Sequence, residues 1–137
     1  MKKFFSAAPL GFPQGMALIR VITGFFMAYH GWELFDATVM NGYLKWEAFG
    51  RFSSPAFVVY LGKAAELAGG ILLLFGFLTR PACILIACTM LYISLFVGHG
   101  KIWYDDQHPF LFVLLALVFF FAGAGKWSVD NVVFRKQ

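Results

Sequence analysis

Four long stretches of the sequence contain few charged residues, and they decide which solvent the folded chain can occupy. A helix needs roughly 20 largely apolar residues to cross roughly 30 Å of bilayer hydrocarbon. Stretches of this kind lie at about residues 15–35, 55–77, 81–97 and 109–124. We therefore predict an all-α fold, a polytopic membrane four-helix bundle that forms a single domain over residues 1–137.

The composition excludes the other classes that a chain of this length can join. Apolar residues make up 61% of the chain and charged residues only 13%, which is about half the share found in a soluble globular domain. So high an apolar content excludes a disordered chain, and two cysteines are too few for a disulfide-rich module. The same numbers exclude a nucleic-acid-binding domain, so the lipid bilayer is the expected partner.

Proline lies near the start of each predicted span. Pro13, Pro55, Pro81 and Pro109 occupy positions where a helix begins and where the missing N–H costs little. Between the first two spans, residues 36–54 contain several aromatic side chains. We predict that this segment is a short interfacial helix or loop packed over one end of the bundle.

The distribution of basic residues predicts how the bundle is oriented. Cytoplasmic segments of membrane proteins carry an excess of Lys and Arg. With both termini inside, the cytoplasmic residues are Lys2, Lys3, Arg80, Lys126, Arg135 and Lys136, and those on the other side are Lys45, Arg51 and Lys101. The larger set lies inside, so the prediction is N-in, C-in.

Four ionisable residues interrupt the first two spans, and they are the first candidates for a functional site. Arg20 and His30 lie in the first span, and Lys63 and Glu66 lie in the second. A charge in hydrocarbon is costly unless it is paired, hydrated or neutralised. At roughly 100° per residue each pair falls on one face of its helix, so we predict that the two faces meet. Arg20 could then extend toward Glu66 or toward the cytoplasmic head groups.

This polar group has three interpretations. In the first, the four residues form an ion-pair and hydrogen-bond network that only fixes the register of the helices. In the second, they line a polar pocket between the first and second spans, closed by Cys88, Thr89 and Tyr92 of the third. Such a pocket would hold a polar head group such as that of a quinone, or pass protons, because carboxylate and imidazole groups exchange protons. In the third, the site is completed only by another subunit.

Two further groups of reactive side chains are interpreted as structural. Cys83 and Cys88 lie about 140° apart around a helix, so we expect reduced packing residues rather than a redox pair. A loop before the fourth span contains residues whose spacing matches no metal site, and we predict no metal there: His99, Asp105, Asp106 and His108. No cofactor-binding motif is evident, and the sequence leaves open whether the chain is an enzyme.

Several short strings, in a fixed order along nearly the whole chain, resemble one known family. They are Ala17-Leu18-Ile19-Arg20, Tyr29-His30-Gly31-Trp32, Glu66-Leu67-Ala68-Gly69-Gly70, Gly76-Phe77-Leu78-Thr79-Arg80, His108-Pro109 and Gly123-Ala124-Gly125-Lys126-Trp127-Ser128-Val129-Asp130. In these strings the chain resembles the DoxX family of small bacterial integral membrane proteins.

The resemblance implies a multi-pass protein of the bacterial cytoplasmic (inner) membrane with a link to redox metabolism. It also implies contact with quinone, or with thiol-redox and oxidative-stress partners. The residues that match polar positions of the family are Arg20, His30, Glu66 and Arg80, and those that match its C-terminal signature are Trp127, Ser128 and Asp130.

The first functional hypothesis is a quinone-associated redox subunit. In it Glu66 and His30 are the catalytic groups, which contact or protonate a quinone oxygen. Arg20 tunes Glu66, and Lys63 and Tyr92 contribute to ligand binding. Electrons would come from a redox partner, because the sequence contains no motif for a cofactor of its own.

Two other hypotheses need no chemistry inside the chain. In one, the protein is a non-enzymatic scaffold for a redox or stress-response complex, and a soluble or membrane partner docks on Trp127, Ser128 and Asp130. In the other, the protein is a pathway for a small solute or protons. Four short spans could supply such a pathway only as a homo-oligomer.

Overall fold

The computed structural model describes residues 9–134, and over that range the chain is helical and contains no strands. The α-helices are α1 (Phe12–Trp32), α2 (Ala37–Tyr43), α3 (Glu47–Gly50), α4 (Pro55–Phe75), α5 (Thr79–Tyr92), α6 (Gln107–Ala122) and α7 (Val129–Val133). A 3-10 turn at Glu33–Phe35 follows α1, and a π-helical turn at Ile93–Val97 extends α5. Lys2, Lys3, Arg135 and Lys136, which contributed to the predicted orientation, lie outside the described residues.

The long helices begin and end within a few residues of the predicted spans, and the differences have local causes. The first helix begins at Phe12 because Gly11 adopts a left-handed conformation with φ 57° and Pro13 fits the first turn. Helix α4, which corresponds to the second predicted span, ends at Phe75 because Gly76, with φ 64°, reverses the chain. The first helix ends at Trp32, and a 3-10 turn continues the chain to Phe35, where the predicted first span ends.

Two segments of the described chain are long and apolar enough to cross a membrane. They are Pro55–Phe75 and Thr79–Val97, which consists of α5 and its π-helical turn. Helix α6 is also apolar but has only 16 residues. The structure therefore supports two membrane-capable helices, and crossing by α1 and α6 stays a prediction.

Helices α1 and α4 pack against each other along most of their length, as their polar faces predict. Glycines make this approach possible. A Cβ atom at Gly31 would lie 2.7 Å from the Leu67 Cβ, and one at Gly70 would lie 2.8 Å from the Met27 carbonyl carbon. Since lipid provides no hydrophobic drive between helices, close backbone contact of this kind is a main source of their association.

The other long helices complete a ring in the order α1, α4, α5, α6, with a small contact between α6 and α1. All four helices contribute apolar side chains to one core, and α5 provides several of its most buried residues. The core residues are Met27, Leu73, Cys83, Ile86, Met90, Phe112, Val113, Ala116 and Phe119.

The segment between α1 and α4 folds over one end of this ring, as predicted. Helices α2 and α3 bury Met40 and Phe49 against Val59 of α4, and this makes a second, smaller core. Asp36 caps α2 by accepting hydrogen bonds from the backbone N–H groups of Thr38 and Val39. The segment is therefore a folded part of the chain and covers the end of the ring.

A pair of matched substitutions tests the close packing of α1 and α4. We expect Gly70→Ala to lower the free energy of unfolding by about 1–3 kcal/mol, because the added methyl group has backbone atoms in its way. Gly62→Ala is the control in the same helix, since a Cβ there meets no atom within 4 Å. It should be neutral or stabilise slightly. Thermal unfolding in detergent measures both, and equal melting temperatures would contradict the packing described.

Candidate functional site

The side chain of Lys63 joins two carboxylates near one end of the ring. Its Nζ lies 2.8 Å from Glu33 Oε2 and 3.0 Å from Glu66 Oε2. The same ammonium group donates to the backbone carbonyl of His30 at 3.4 Å. Its three donors therefore have three acceptors, and the charge is compensated although only 13% of the side chain is exposed.

Local structure brings these groups together. Lys63 and Glu66 are three residues apart on α4, so they share one helical face. Glu33 comes from the 3-10 turn that follows α1, and His30 lies one turn earlier, with its Nδ1 3.7 Å from Glu33 Oε1. The glycine contacts between α1 and α4 set the distance across which these side chains meet. We call Glu33, Lys63 and Glu66 the acid–lysine cluster.

Tyr43 of α2 covers the outer side of this cluster. Its hydroxyl donates to Glu33, and its ring centroid lies 4.8 Å from Lys63 Nζ in a cation–π contact. Burial, together with the hydrogen bond to Glu33, raises the pKa of Tyr43 above its usual value. The phenol therefore stays protonated at neutral pH and can act as a donor to Glu33.

A cavity of about 590 Å³ adjoins the acid–lysine cluster. Its walls are mainly apolar and aromatic, with side chains from α1, α4, α5, α6 and the α2–α3 segment. The lining residues with polar groups are His30, Tyr43, Trp46, Lys63, Glu66, Cys88, Thr89, Tyr92 and His108. An apolar volume with a few convergent polar groups is the usual form of a small-molecule site.

Two polar atoms beside this cavity have no hydrogen-bond partner among the described residues. Glu66, of which 3% is exposed, uses Oε2 for its contact with Lys63, and this leaves Oε1 for another donor. The ring of Tyr92 lines the cavity, but its hydroxyl is covered by protein atoms. A buried hydroxyl without a partner is uncommon in proteins, and a ligand would reach it only if the side chains that cover it moved.

The cavity contains the residues predicted for the pocket but extends beyond the interface of α1 and α4. Residues His30, Lys63, Glu66 and Tyr92 are all at its surface, and Cys88 and Thr89 of α5 line it as predicted. The interface of α1 and α4, however, is too tightly packed to hold a ligand. The space therefore opens on the side of α4 that faces α5.

The prediction that Arg20 reaches Glu66 is wrong. Arg20 Nη1 donates to the backbone carbonyls of Leu73 at 2.8 Å and Leu74 at 3.0 Å, and Nη2 donates to that of Trp127. These carbonyls lie in the last turn of α4 or beyond the end of α6, where the helix dipole and the shortage of helical donors attract a cation. Glu66 lies about two turns away along α4. Arg20 therefore ties helix ends together and does not tune the site.

The predicted docking residues near the C-terminus mostly bind within the chain. The Asp130 carboxylate accepts hydrogen bonds from the backbone N–H groups of Leu78 at 2.7 Å and Thr79 at 2.9 Å, which begin α5. Ser128 is buried, and its hydroxyl caps α7 by accepting from the Asn131 N–H. Only the side chain of Trp127, 68% exposed, is free to meet a partner.

Gly76 is the point where Arg20 meets this C-terminal segment. A Cβ atom at Gly76 would lie 2.7 Å from both Arg20 Cζ and Ser128 Cβ. The carbonyl of Gly76 also accepts from the Asp130 N–H at 2.9 Å. We call Arg20, Gly76, Trp127, Ser128 and Asp130 the C-terminal clasp.

Three residues of the site are not among the predicted ones. Glu33 is three residues after His30, a spacing that indicates it, but the predicted span runs past it to residue 35. Tyr43 is predicted only as one of the aromatic residues of the segment between the first two spans. His108 is predicted in the loop before the fourth span, whereas it lies in the first turn of α6 and its ring centroid lies 5.9 Å from that of His30.

The remaining reactive residues lie in the core, beside the cavity or in the loop before α6. Cys83 is buried in the core and Cys88 is exposed beside the cavity, and both are free thiols. The Asp106 carboxylate accepts from the backbone N–H groups of His99 and Lys101, so it holds the loop before α6. Within residues 9–134, no group of three or more His, Cys, Asp or Glu side chains could hold a metal ion.

Comparison with known proteins identifies the family. Residues 15–99, more than half of the chain, match DoxX, and the chain belongs to this family of membrane proteins. A Bacillus subtilis protein named "Putative oxidoreductase CatD" is 30% identical over 125 residues, which cover 90% of each chain. An uncharacterised Haemophilus influenzae protein is 29% identical over 133 residues, covering 90% of this chain and 94% of the relative. No solved structure is significantly similar to the chain.

Removal of the central cation tests the acid–lysine cluster. We expect Lys63→Met to lower the free energy of unfolding by about 3–5 kcal/mol, because it leaves a buried carboxylate without a counter-ion. Adding Glu66→Gln to that variant should recover part of the loss. Thermal unfolding in detergent measures both effects.

Lys101→Met is the matched control, because Lys101 pairs with Asp105 at an exposed site 3.6 Å apart. An exposed pair contributes only about 0–1 kcal/mol. If Lys63→Met unfolds at the same temperature as this control, the cluster is not a compensated buried charge.

The C-terminal clasp gives a second stability prediction. Asp130→Ala removes the acceptor for two N–H groups at the start of α5, so we expect a loss of about 0.5–2 kcal/mol and faster proteolysis after Gly125. Asp105→Ala, an exposed acid outside the clasp, should change neither. Equal proteolysis of the two variants would show that Asp130 does not hold the C-terminal segment.

Proposed function

We propose that this protein is a membrane component of redox metabolism that binds the head group of a quinone in the cavity. One observation supports this above the others. The cavity is apolar, yet Glu66 Oε1 at its surface and the covered Tyr92 hydroxyl beside it lack partners among the described residues. A quinone fits such a place because its ring is apolar and flat and its two oxygens need hydrogen-bond partners.

The charges of the acid–lysine cluster favour the reduced form of the ligand. Glu66, held by Lys63, can accept a hydrogen bond from a quinol hydroxyl, whereas a quinone carbonyl has no proton to offer. The Tyr92 hydroxyl can donate to either form. Glu66 therefore acts as the acceptor of a quinol proton, and His30 and His108 lie near enough to the cavity to share that proton.

Oxidation of a quinol releases two electrons and two protons. In this proposal the protons pass to Glu66 and the neighbouring imidazoles, while the electrons leave to a separate redox protein of the membrane or of the adjacent aqueous phase. The reverse reaction uses the same groups in the opposite direction. Lys63 is a positioning residue, because its three donors are already used within the chain.

We further propose that α1, α4, α5 and α6 all cross the bacterial inner membrane, with both termini in the cytoplasm. Arg80 and Lys126 lie at one end of the ring, and Lys45, Arg51 and Lys101 lie at the other. When the basic residues of the two terminal segments are added to Arg80 and Lys126, this set is larger than the other, which favours the first end as cytoplasmic. This orientation puts the cavity in the half of the membrane nearer the outer surface.

The name of the Bacillus subtilis relative supports a redox role, because it describes an oxidoreductase. The relative matches nearly the whole chain, so the likeness includes the helices that form the cavity. A non-enzymatic scaffold remains the second proposal, and it is favoured by the exposed side chains of Trp127, Val132 and Phe134 at the C-terminal end. The cavity is the stronger observation, because a scaffold does not need it.

A comparison of quinol and quinone binding tests the proposed function. We expect the purified protein in lipid nanodiscs to bind a water-soluble quinol, measured by quenching of tryptophan fluorescence, since Trp46 lines the cavity. Glu66→Gln should weaken quinol binding about tenfold or more, the value of one charge-assisted hydrogen bond. Quinone binding should change less than about threefold.

Tyr92→Phe should weaken binding of both forms, because the phenol can donate to either. Asp105→Asn provides a control with the same acid-to-amide change at an exposed position away from the cavity. Absence of binding by the parent protein would contradict the proposal. An unchanged quinol affinity in Glu66→Gln would show that Glu66 is not the proton acceptor.

A further inference from the structure

Helices α4 and α5 are close together at one end of their hairpin and separate toward the other. At Gly69 a Cβ atom would lie 2.8 Å from Ile86 Cγ1, so the two helices touch there. Gly62 is two turns earlier on the same face of α4, and a Cβ atom there would meet nothing within 4 Å. The helices therefore diverge between Gly69 and Gly62, and the cavity extends into the gap.

The gap reaches the outer surface of the protein. Leu61 of α4 and Leu85 and Cys88 of α5 line the cavity, yet all three are exposed. These two helices belong to the segments that are long and apolar enough to cross a membrane. A gap between them, in the hydrophobic part of both, faces lipid rather than water. The cavity thus has a polar end at Glu66 and an apolar side that opens toward the bilayer.

The charge at the polar end restricts which lipid-soluble molecule can enter. The acid–lysine cluster has two carboxylates and one ammonium group, so it carries an excess of negative charge when its members are ionised. An anionic phosphate head group would be repelled there. An uncharged head group that donates or accepts hydrogen bonds would not.

We propose that the gap between α4 and α5 is a lateral entrance for a molecule with an uncharged head group and a long apolar tail. The head lies at Glu66 and Tyr92, and the tail passes Gly62 and Cys88 into the bilayer. The identity of the head as a quinol rests on the proposed function above. The entrance and the tail are additional, and they restrict the ligands to tailed, membrane-dissolved ones.

Filling the gap tests the entrance. Gly62→Trp places a large side chain in the open space, and we expect it to weaken binding of a decyl-tailed quinol at least tenfold in nanodiscs. Binding of the tail-less quinol should be weakened less than that of the tailed quinol, although Gly62 also lines the cavity. Ala64→Trp, on an exposed part of the same helix, is the control and should change neither affinity. If Gly62→Trp is unstable, Gly62→Leu should give the same order of effects with a smaller loss.

The two cysteines give a second readout of the entrance, the rate of thiol labelling. A lipid-soluble maleimide should label Cys88, which is exposed at the entrance, and should leave the buried Cys83 unlabelled. The tailed quinol should slow labelling of Cys88 at least fivefold, and the tail-less quinol should not slow it. Gly62→Trp should slow labelling of Cys88 in the absence of any ligand. Equal protection of Cys88 by both quinols, or labelling that Gly62→Trp leaves unchanged, would overturn the entrance.

These outcomes separate the entrance from the proposed function. If the parent binds no quinol but Gly62→Trp still slows labelling of Cys88, the entrance is supported and the quinol assignment is overturned. If the tail-less quinol binds and Gly62→Trp leaves labelling and tailed binding unchanged, the function is supported and the entrance is overturned. Protection of Cys88 by an anionic phospholipid as strong as that by the tailed quinol would overturn the uncharged head group.

Discussion

The ammonium group of Lys63 is the charge on which the arrangement of the site depends. It lies on a helix apolar enough to cross a membrane, where an unpaired cation would be costly. Its contacts with Glu33, Glu66 and the His30 carbonyl link the end of α1 to α4, and Tyr43 adds α2 to the same group. One interaction thus orders the polar wall of the cavity and closes the end of the helical ring.

The two buried cations of α1 and α4, Arg20 and Lys63, have different structural roles. Arg20 donates to backbone carbonyls through its two Nη atoms and joins α1 and α4 to the C-terminal segment, so it fits the interpretation of a network that fixes register. Lys63 is satisfied mainly by carboxylates and borders a cavity. The glycine contacts between the groups hold α1 and α4 at a set distance, which leaves the other side of α4 to form the cavity with α5.

Much of the helical pattern could be predicted from the sequence, because helical periodicity places His30, Lys63 and Glu66 on facing surfaces. The partner of Arg20 could not, since backbone carbonyls at a helix end leave no mark in the residue pattern. Glu33 could not be predicted as a residue of the site, because the end of α1 depends on a local 3-10 turn. The position of the cavity depends on the divergence of α4 and α5 beyond Gly69, which follows from packing at Ile86 and not from periodicity.

The most direct measurement of the central claim is an experimental structure of the protein in nanodiscs with a tailed quinol. The account predicts density for a head group within hydrogen-bond distance of Glu66 and Tyr92, with its tail leaving between α4 and α5 past Gly62. Density for the quinol at another surface would contradict the account. So would a cavity filled by phospholipid chains at a quinol concentration that saturates binding.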